Sequence, residues 1–347
     1  MKYTFFTRYG TLGASSRYRF YMYADLMRKA GHKVKICRFF SDAYLKCLYR
    51  NRFINPLYVL GAFLRRFKDM VFSGREAVIE YELLPFIPYW LEKMFIGRSR
   101  YVLNYDDNVW EKYTRKPWLR NKYDKLVERA AGVIVANDFL RKKVLPLNQN
   151  VIQIPTVVNT DLYKTSLPKF DKFTVVWIGT PVTYSYIEAH ADTLRAMSKR
   201  FDFELLILAR RNLKERTVDG VKMRFMDWSQ EREGEVVARS HVGIMPLTDD
   251  EFSRGKSAFK IIQYQAAGLP VIASPVGANK DVVRDGLNGF LAGTSVKWVD
   301  SLGRLIKEPA LYSTMSSASK KASVDYSIQK YFPVFEEFLQ KAFNNNS

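Results

Sequence analysis

The feature that most constrains the fold is an alternation of strand and helix that runs through the chain twice. Residues 3–7 form a short aromatic and β-branched run, which meets Gly10-Thr11-Leu12-Gly13. Residues 15–30 then read as a helix ending at Gly31, and 32–38 as a returning strand. Strand, crossover helix and strand imply a parallel, doubly wound sheet. Further strands are expected at 77–81, 101–105, 133–136 and 151–154. The pattern restarts after 167–172, a stretch containing Pro and Lys. Strand 173–178 closes on Gly179-Thr180-Pro181, and a helix is expected at 187–199. Strand 203–208 closes on Ala209-Arg210-Arg211. Strands at 221–226, 242–245 and 270–273 and helices at 232–239, 257–267 and 300–306 complete the set.

The expected fold class is therefore α/β, with two doubly wound domains at 1–165 and 166–325. A last helix within 326–347 is expected to pack back on the first domain. Ligands of such sheets bind beyond the carboxyl ends of the strands, and two such domains can face those ends across a cleft.

Composition narrows the class. The 347 residues are 47% hydrophobic and 26% charged, which excludes a disordered, collagen-like or low-complexity chain. Two cysteines, Cys37 and Cys47, are too few for a disulfide framework and fit a reducing compartment. The early charge at Lys2 and Arg8 argues against a signal peptide. The longest strongly apolar uncharged run, 53–64, is too short to cross a bilayer of about 30 Å.

The net charge of +20 is unevenly spread. Residues 1–165 hold 30 basic and 14 acidic residues, and 1–75 alone hold 16 and 3. A one-sided basic field points to an anionic partner: nucleic acid, lipid or a phosphorylated substrate. The stretch 46–72 sets Lys46, Arg50, Arg52, Arg65, Arg66 and Lys68 among apolar residues, which suits a helix lying on an anionic membrane surface. The alternative is a core helix with a solvated basic edge. No nucleic-acid motif is present, so nucleic acid is not the expected partner.

The most informative segment runs from 246 to 277. It reads as strand, loop, helix and strand, with Arg254, Gly255 and Lys256 at the expected helix start. Free backbone N–H groups and the positive end of the dipole make such a start an anion site. On that helix Lys256 and Lys260 share one face, and Gln263 follows two turns after Lys256. The plainer reading is a solvated basic cap over a buried helix.

Gly255-Lys256-Ser257-Ala258-Phe259-Lys260-Ile261-Ile262-Gln263-Tyr264-Gln265-Ala266-Ala267-Gly268-Leu269-Pro270-Val271-Ile272-Ala273 resembles the nucleotide-sugar segment of GT-B glycosyltransferases of the family 4 type. Asp285-Gly286-Leu287-Asn288-Gly289-Phe290-Leu291 resembles the D-G-x-N-G-x-L segment that follows it there. Trp177-Ile178-Gly179-Thr180-Pro181 and Pro155-Thr156-Val157-Val158-Asn159 are similar to two further landmarks. The likeness covers about 150–292. It implies two Rossmann-like domains and transfer of a sugar from a nucleotide diphosphate sugar with retention of configuration. The variant pattern of Gly-Thr-Pro, Gly-Lys and Lys-x-x-Gln-Tyr resembles a bacterial envelope-polysaccharide subgroup; the expected enzyme is a hexosyltransferase without a cofactor, metal-independent where side-chain cations carry the leaving-group charge.

The chain departs from the usual E-x7-E: Gly255 and Gln263 stand where the two Glu would be. The Arg and Lys expected after the first strand of the second domain are replaced by Gly179-Thr180-Pro181. The expected leaving-group cations are therefore Arg254 and Lys256. Gly179, Thr180, Arg210, Ser257, Lys260 and Gln263 are the expected donor contacts.

In the first domain, Gly10, Thr11 and Gly13 form a candidate acceptor or phosphate loop, or an ordinary turn. Asp106 and Asp107 end a strand expected to point at the ligand, where a carboxylate can bind a sugar hydroxyl or accept a proton. Alternatively, one of them caps the next helix. Glu82 is a similar candidate. His32, His190 and His241 are isolated, and no cluster has metal spacing.

The expected partners are a nucleotide sugar, a glycolipid or polyprenyl-diphosphate-linked acceptor, and an anionic membrane surface met by the basic domain. The expected location is the cytoplasmic face of the cell membrane. A non-catalytic nucleotide-sugar-binding subunit and an epimerase of related architecture stay open as alternatives.

Overall fold

The computed structural model describes residues 1–344 except 50–52, 72–73, 75, 98, 164–166, 211–212 and 214–215. Arg50, Arg52 and Arg211 of the sequence reading lie outside the described residues. The chain forms two compact units. The first comprises Met1–Val157, Arg254–Ser257 and the residues from Gln329 on; the second comprises Val158–Ser253 and Ala258–Ile328. The division falls before the expected 165/166, and the expected second domain lends Arg254–Ser257 to the first unit.

The first unit is built on six parallel strands: β1 (Lys2–Thr7), β2 (Lys33–Arg38), β3 (Glu76–Glu80), β4 (Arg100–Tyr105), β5 (Gly132–Val135) and β6 (Val151–Gln153). Their order is β2-β1-β3-β4-β5-β6. The chain runs outward from β1 to β2, then returns to β3 on the other side. The switch point therefore lies between β1 and β3, where ligands of such sheets sit. β1, β3, β4 and β5 are almost wholly buried, as strands covered by helices on both faces must be.

The expected first helix is continuous over 14–29 but carries a π-helical turn, Arg17–Tyr21, which brings Arg17, Tyr18, Arg19 and Phe20 all into the interior. It ends at Gly31 with φ +88°, the left-handed conformation that suits glycine. The basic stretch folds as two helices, Asp42–Tyr49 and Pro56–Val71. Arg66 departs from the expected membrane-facing set. It is buried, donates to the carbonyls of Cys37 (3.1 Å) and Thr7 (2.6 Å), and lies over the Phe6 ring. The last helix, Ile328–Asn344, packs Phe335 on Tyr23 with ring centroids 4.2 Å apart.

The second unit has six parallel strands: β7 (Thr174–Ile178), β8 (Glu204–Ala209), β9 (Met223–Asp227), β10 (Val242–Met245), β11 (Val271–Ala273) and β12 (Gly289–Leu291). The order β12-β11-β10-β7-β8-β9 puts its switch point between β7 and β10. β12 and the helix Pro309–Ser323 were not apparent in the sequence pattern.

The expected helix 187–199 is two, Ser185–Ala189 and Ala191–Arg200, parted at His190. The expected helix 257–267 begins only at Phe259, because Ala258 takes a left-handed conformation at φ 53°. Lys256 and Ser257 therefore stand outside it, and the helical face that Lys256 was to share with Lys260 and Gln263 does not form.

Candidate functional site

The carboxyl edge of the first sheet gathers a buried polar cluster at its switch point. Glu80 ends β3 and accepts from Ser15 Oγ and Ser16 Oγ, both at 2.6 Å, and from the Arg8 N–H at 2.7 Å. Ser15 and Ser16 sit at the start of the first helix, directly after the glycine turn. Tyr81 follows with φ 61°, a strained conformation for a large side chain, and this aims its hydroxyl back at the sheet edge. That hydroxyl bonds Asp106 and lies 3.3 Å from Ser15 Oγ.

Burial first, then the neighbouring Asp107, push the Asp106 carboxyl up to about 7, against the pull of Arg19 and the Tyr81 hydroxyl. Arg19 comes from the π-turn and is held by Asn104 Oδ1 (2.8 and 2.6 Å) and the Ile154 carbonyl (2.6 Å). Neither aspartate caps the next helix: the turn Val109–Tyr113 starts at Asn108 without a side-chain cap. Asp107 is half-buried beside the cluster.

Two first-domain expectations change. Glu82 is buried in ion pairs with Lys122 (2.7 Å) and Lys112 (2.8 Å) and accepts from the hydroxyls of Tyr113 (2.9 Å) and Tyr123 (3.0 Å). Burial raises its pKa, but Lys122, Lys112 and Arg8 outweigh that and hold it at about 2. Every oxygen is spoken for, so Glu82 is an internal charge hub and not an open sugar ligand. The loop at Gly10, Thr11 and Gly13 is met by Asp42, whose carboxylate accepts from the Leu12 N–H at 2.9 Å and Thr11 Oγ1 at 3.2 Å. Asp42 therefore takes the Leu12 N–H and the Thr11 hydroxyl of this loop.

The segment Arg254–Ser257 is held by the first unit through Asn137. Its Nδ2 donates to the carbonyls of Gly255 (2.9 Å) and Lys256 (3.1 Å), while its Oδ1 caps the helix Asp138–Val144 at Leu140 N. Gly255 lies against Asn108 so closely that a β-carbon would stand 2.4 Å from Asn108 Cβ. Arg254 is exposed, and Lys256 and Ser257 are half-buried.

In the second unit, β7 delivers Gly179 and Thr180 to the carboxyl edge. Gly179 has no room for a side chain, since a β-carbon would lie 2.0 Å from the Trp177 ring. Thr180 closes a turn, its N–H donating to Thr183 Oγ1 at 3.0 Å. Lys260 lies over the Trp177 ring at 5.3 Å, and Arg210, at the end of β8, lies over the Trp228 ring at the same distance. These two aromatic-backed cations flank the edge.

Gln263 reaches that edge through Glu233 and Trp228. It is buried, and its Nε2 donates to Glu233 Oε1 (2.5 Å) and the Tyr163 hydroxyl (3.1 Å); Glu233 also accepts from Trp228 Nε1. Sequence reading missed Glu233 and Tyr163, although Ser229 before the helix Gln230–Arg239 marks a cap that sets Glu233 in its first turn. Arg19, Asn104, Tyr81, Glu80 and Asn137 were likewise missed; they carry no motif. Among the described residues, no group of three His, Cys, Asp or Glu could hold a metal ion.

Two doubly wound units, each presenting polar side chains beyond its strands' carboxyl ends, define the GT-B class of fold. The chain is similar over nearly its whole length to solved structures of that class. Anabaena HepE, solved with UDP and glucose, has a TM-score of 0.72 at 15% identity, covering 98% of this chain and 99% of that one. Sucrose-phosphate synthase from Thermosynechococcus elongatus has 0.71 at 14%, covering 99% of each. A glycosyltransferase from Rickettsia africae has 0.67 at 13%, again covering 99% of each. At these identities the likeness is one of fold. No curated protein matches the chain by sequence. Residues 172–308 match the family model described as glycosyl transferases group 1. The chain has the GT-B fold, and the match to the group 1 model falls within its second unit.

Proposed function

We propose that the chain moves a sugar from a nucleotide diphosphate sugar to a hydroxyl of a glycolipid or polyprenyl-diphosphate-linked acceptor, with retention of configuration. The work takes place at the cytoplasmic face of a membrane, in envelope polysaccharide or lipopolysaccharide assembly. The observation that carries the reading is the group 1 match over the unit whose carboxyl edge presents Gly179, Thr180 and the aromatic-backed Arg210 and Lys260. Cations backed by rings suit a base and its phosphates. HepE structures hold UDP and UDP-glucose, so uridine is the base to test first.

Arg254 and Lys256 stabilise the departing diphosphate by charge alone, with no metal in the step. Asp107 contacts the sugar or takes the acceptor proton, next to the Asp106–Tyr81 pair. Gln263 Nε2 is committed to Glu233 and Tyr163, and the absence of the usual Glu pair at 255 and 263 favours one second reading: a subunit that binds the nucleotide sugar without turning it over.

The test is a thermal-shift panel of UDP, GDP, CDP, ADP and dTDP with their sugars, followed by assay of nucleotide release and transfer to lipid extracts. A ligand at 100 times its dissociation constant adds about 2.7 kcal/mol. One selective stabiliser with turnover is expected, and Lys256→Ala lowers that turnover well over tenfold with an unchanged melt. Stabilisation without turnover establishes the binding subunit, and no response to any nucleotide overturns both readings.

A further inference from the structure

A helix on the surface of a soluble protein buries an apolar stripe and turns charge to water. Two neighbouring helices of the first unit do otherwise. On Pro56–Val71 the outward stripe is Leu57, Leu60, Leu64 and Val71, each more than half exposed, with Arg65 and Lys68 along it. The helix has one acid, Asp69, which is half-buried and paired with Lys35 at 3.6 Å. On Tyr89–Ile96 the outward residues are Trp90 and Met94, again more than half exposed, with Lys93 between them. Its one acid, Glu92, is wholly buried against Lys122 at 2.7 Å. The helices touch through Phe67 and Phe95, with ring centroids 4.8 Å apart.

Both helices thus send their acids inward and leave Leu57, Leu60, Leu64, Trp90 and Met94 outward beside Arg65, Lys68 and Lys93, with Arg66 the one cation of the pair that is buried. Such a patch marks an interaction surface. We propose that this two-helix face docks on an anionic lipid bilayer. Leu57, Leu60, Leu64, Trp90 and Met94 enter the boundary between headgroups and acyl chains, and Arg65, Lys68 and Lys93 meet lipid phosphates. Charge selects this occupant. A second copy would set cation against cation, whereas a negative surface complements the face, and residues 1–75 with 16 basic and 3 acidic residues extend the same field. The inference rests on the lipid-linked acceptor reading for its purpose, but its physical basis is independent.

The experiment is flotation of the full chain with phosphatidylcholine vesicles, with and without phosphatidylglycerol, at low and high salt. Anionic vesicles are expected to bind at least about tenfold more tightly, salt to weaken binding, and tryptophan emission to shift to the blue. Leu60→Glu with Leu64→Glu abolishes binding while the melt and any nucleotide-induced shift stay as in the parent. Lys68→Glu with Lys93→Glu removes the preference for anionic lipid. Absence of vesicle binding overturns the proposal, as does binding that the variants leave unchanged. A dimer in solution that the leucine pair abolishes, without lipid binding, assigns the face to a second copy instead. Vesicle binding with no donor turnover leaves the docking face standing and removes the transferase reading; turnover without vesicle binding does the reverse.

Discussion

Gly243 lies so close to Tyr264 that a β-carbon on it would stand 2.3 Å from the tyrosine ring. The ring's hydroxyl accepts from the Ile178 N–H at 2.9 Å and donates to the Ile244 carbonyl at 3.3 Å. β7 and β10 pair only at Val175–Val242 and Val176–Gly243, and beyond that Tyr264 takes the place of the ladder. The second unit's switch point is therefore held open by a side chain. Gly243→Ala should cost about 1–3 kcal/mol through overpacking, and Tyr264→Phe a similar amount through two orphaned backbone groups. Denaturant midpoints equal to the parent's would refute the wedge.

Asp106 makes stability depend on pH in an unusual direction. The folded chain keeps its proton up to about pH 7, whereas the unfolded chain loses it near the ordinary value of about 4. Ionisation of the unfolded state between those values favours unfolding, so this group's contribution falls as pH rises and levels off above 7. Asp106→Asn should raise the melting temperature at about pH 8, with the gain shrinking toward about pH 5. A gain that is flat with pH would assign the effect elsewhere.

Glu82 works with the opposite sign. Its folded pKa of about 2 lies below the unfolded value, so its ion pairs stabilise the chain above about pH 4 and fail as pH falls toward 2. Glu82→Gln strands Lys112 and leaves Lys122 with Glu92 as its one acid partner among the described residues, and should cost about 3 kcal/mol at neutral pH. The two proteins should converge in acid; a variant as stable as the parent at pH 7 would show that the hub contributes nothing.

Asn137 joins two roles in one side chain, capping its own helix and gripping the carbonyls of Gly255 and Lys256. Asn137→Ser keeps a helix cap but shortens the reach to the carbonyls. We expect a loss of stability under about 1 kcal/mol and a clear fall in donor turnover. Equal turnover would show that the grip on Lys256 is dispensable.

The strands were legible because doubly wound sheets are buried on both faces, leaving continuous runs such as Val133-Ile134-Val135 and Leu205-Leu206-Ile207-Leu208 between glycine-rich turns. The helix after Gly255 was misplaced because nothing local announces that Ala258 is left-handed; that conformation goes with the grip of Asn137, distant in sequence, on the preceding residues. The first-unit cluster was half visible. Asp106 and Asp107 stand out at a strand end, but Glu80, Tyr81 and Arg19 meet them only through the sheet order and a π-helical turn. Glu82 looked like an open acid because its counter-charges, Lys112 and Lys122, lie thirty and forty residues away.

The last helix gives the molecule a particular order of assembly. Phe335, Phe338, Leu339 and Phe343 are buried, with Phe335 against Tyr23 and Phe343 against Tyr3 at 5.8 Å. A ribosome translating this chain makes β1 well before the helix that seals it. The second unit therefore has all its residues before that helix is made, while the nascent first unit waits, with an unfilled seam along β1, until the helix emerges.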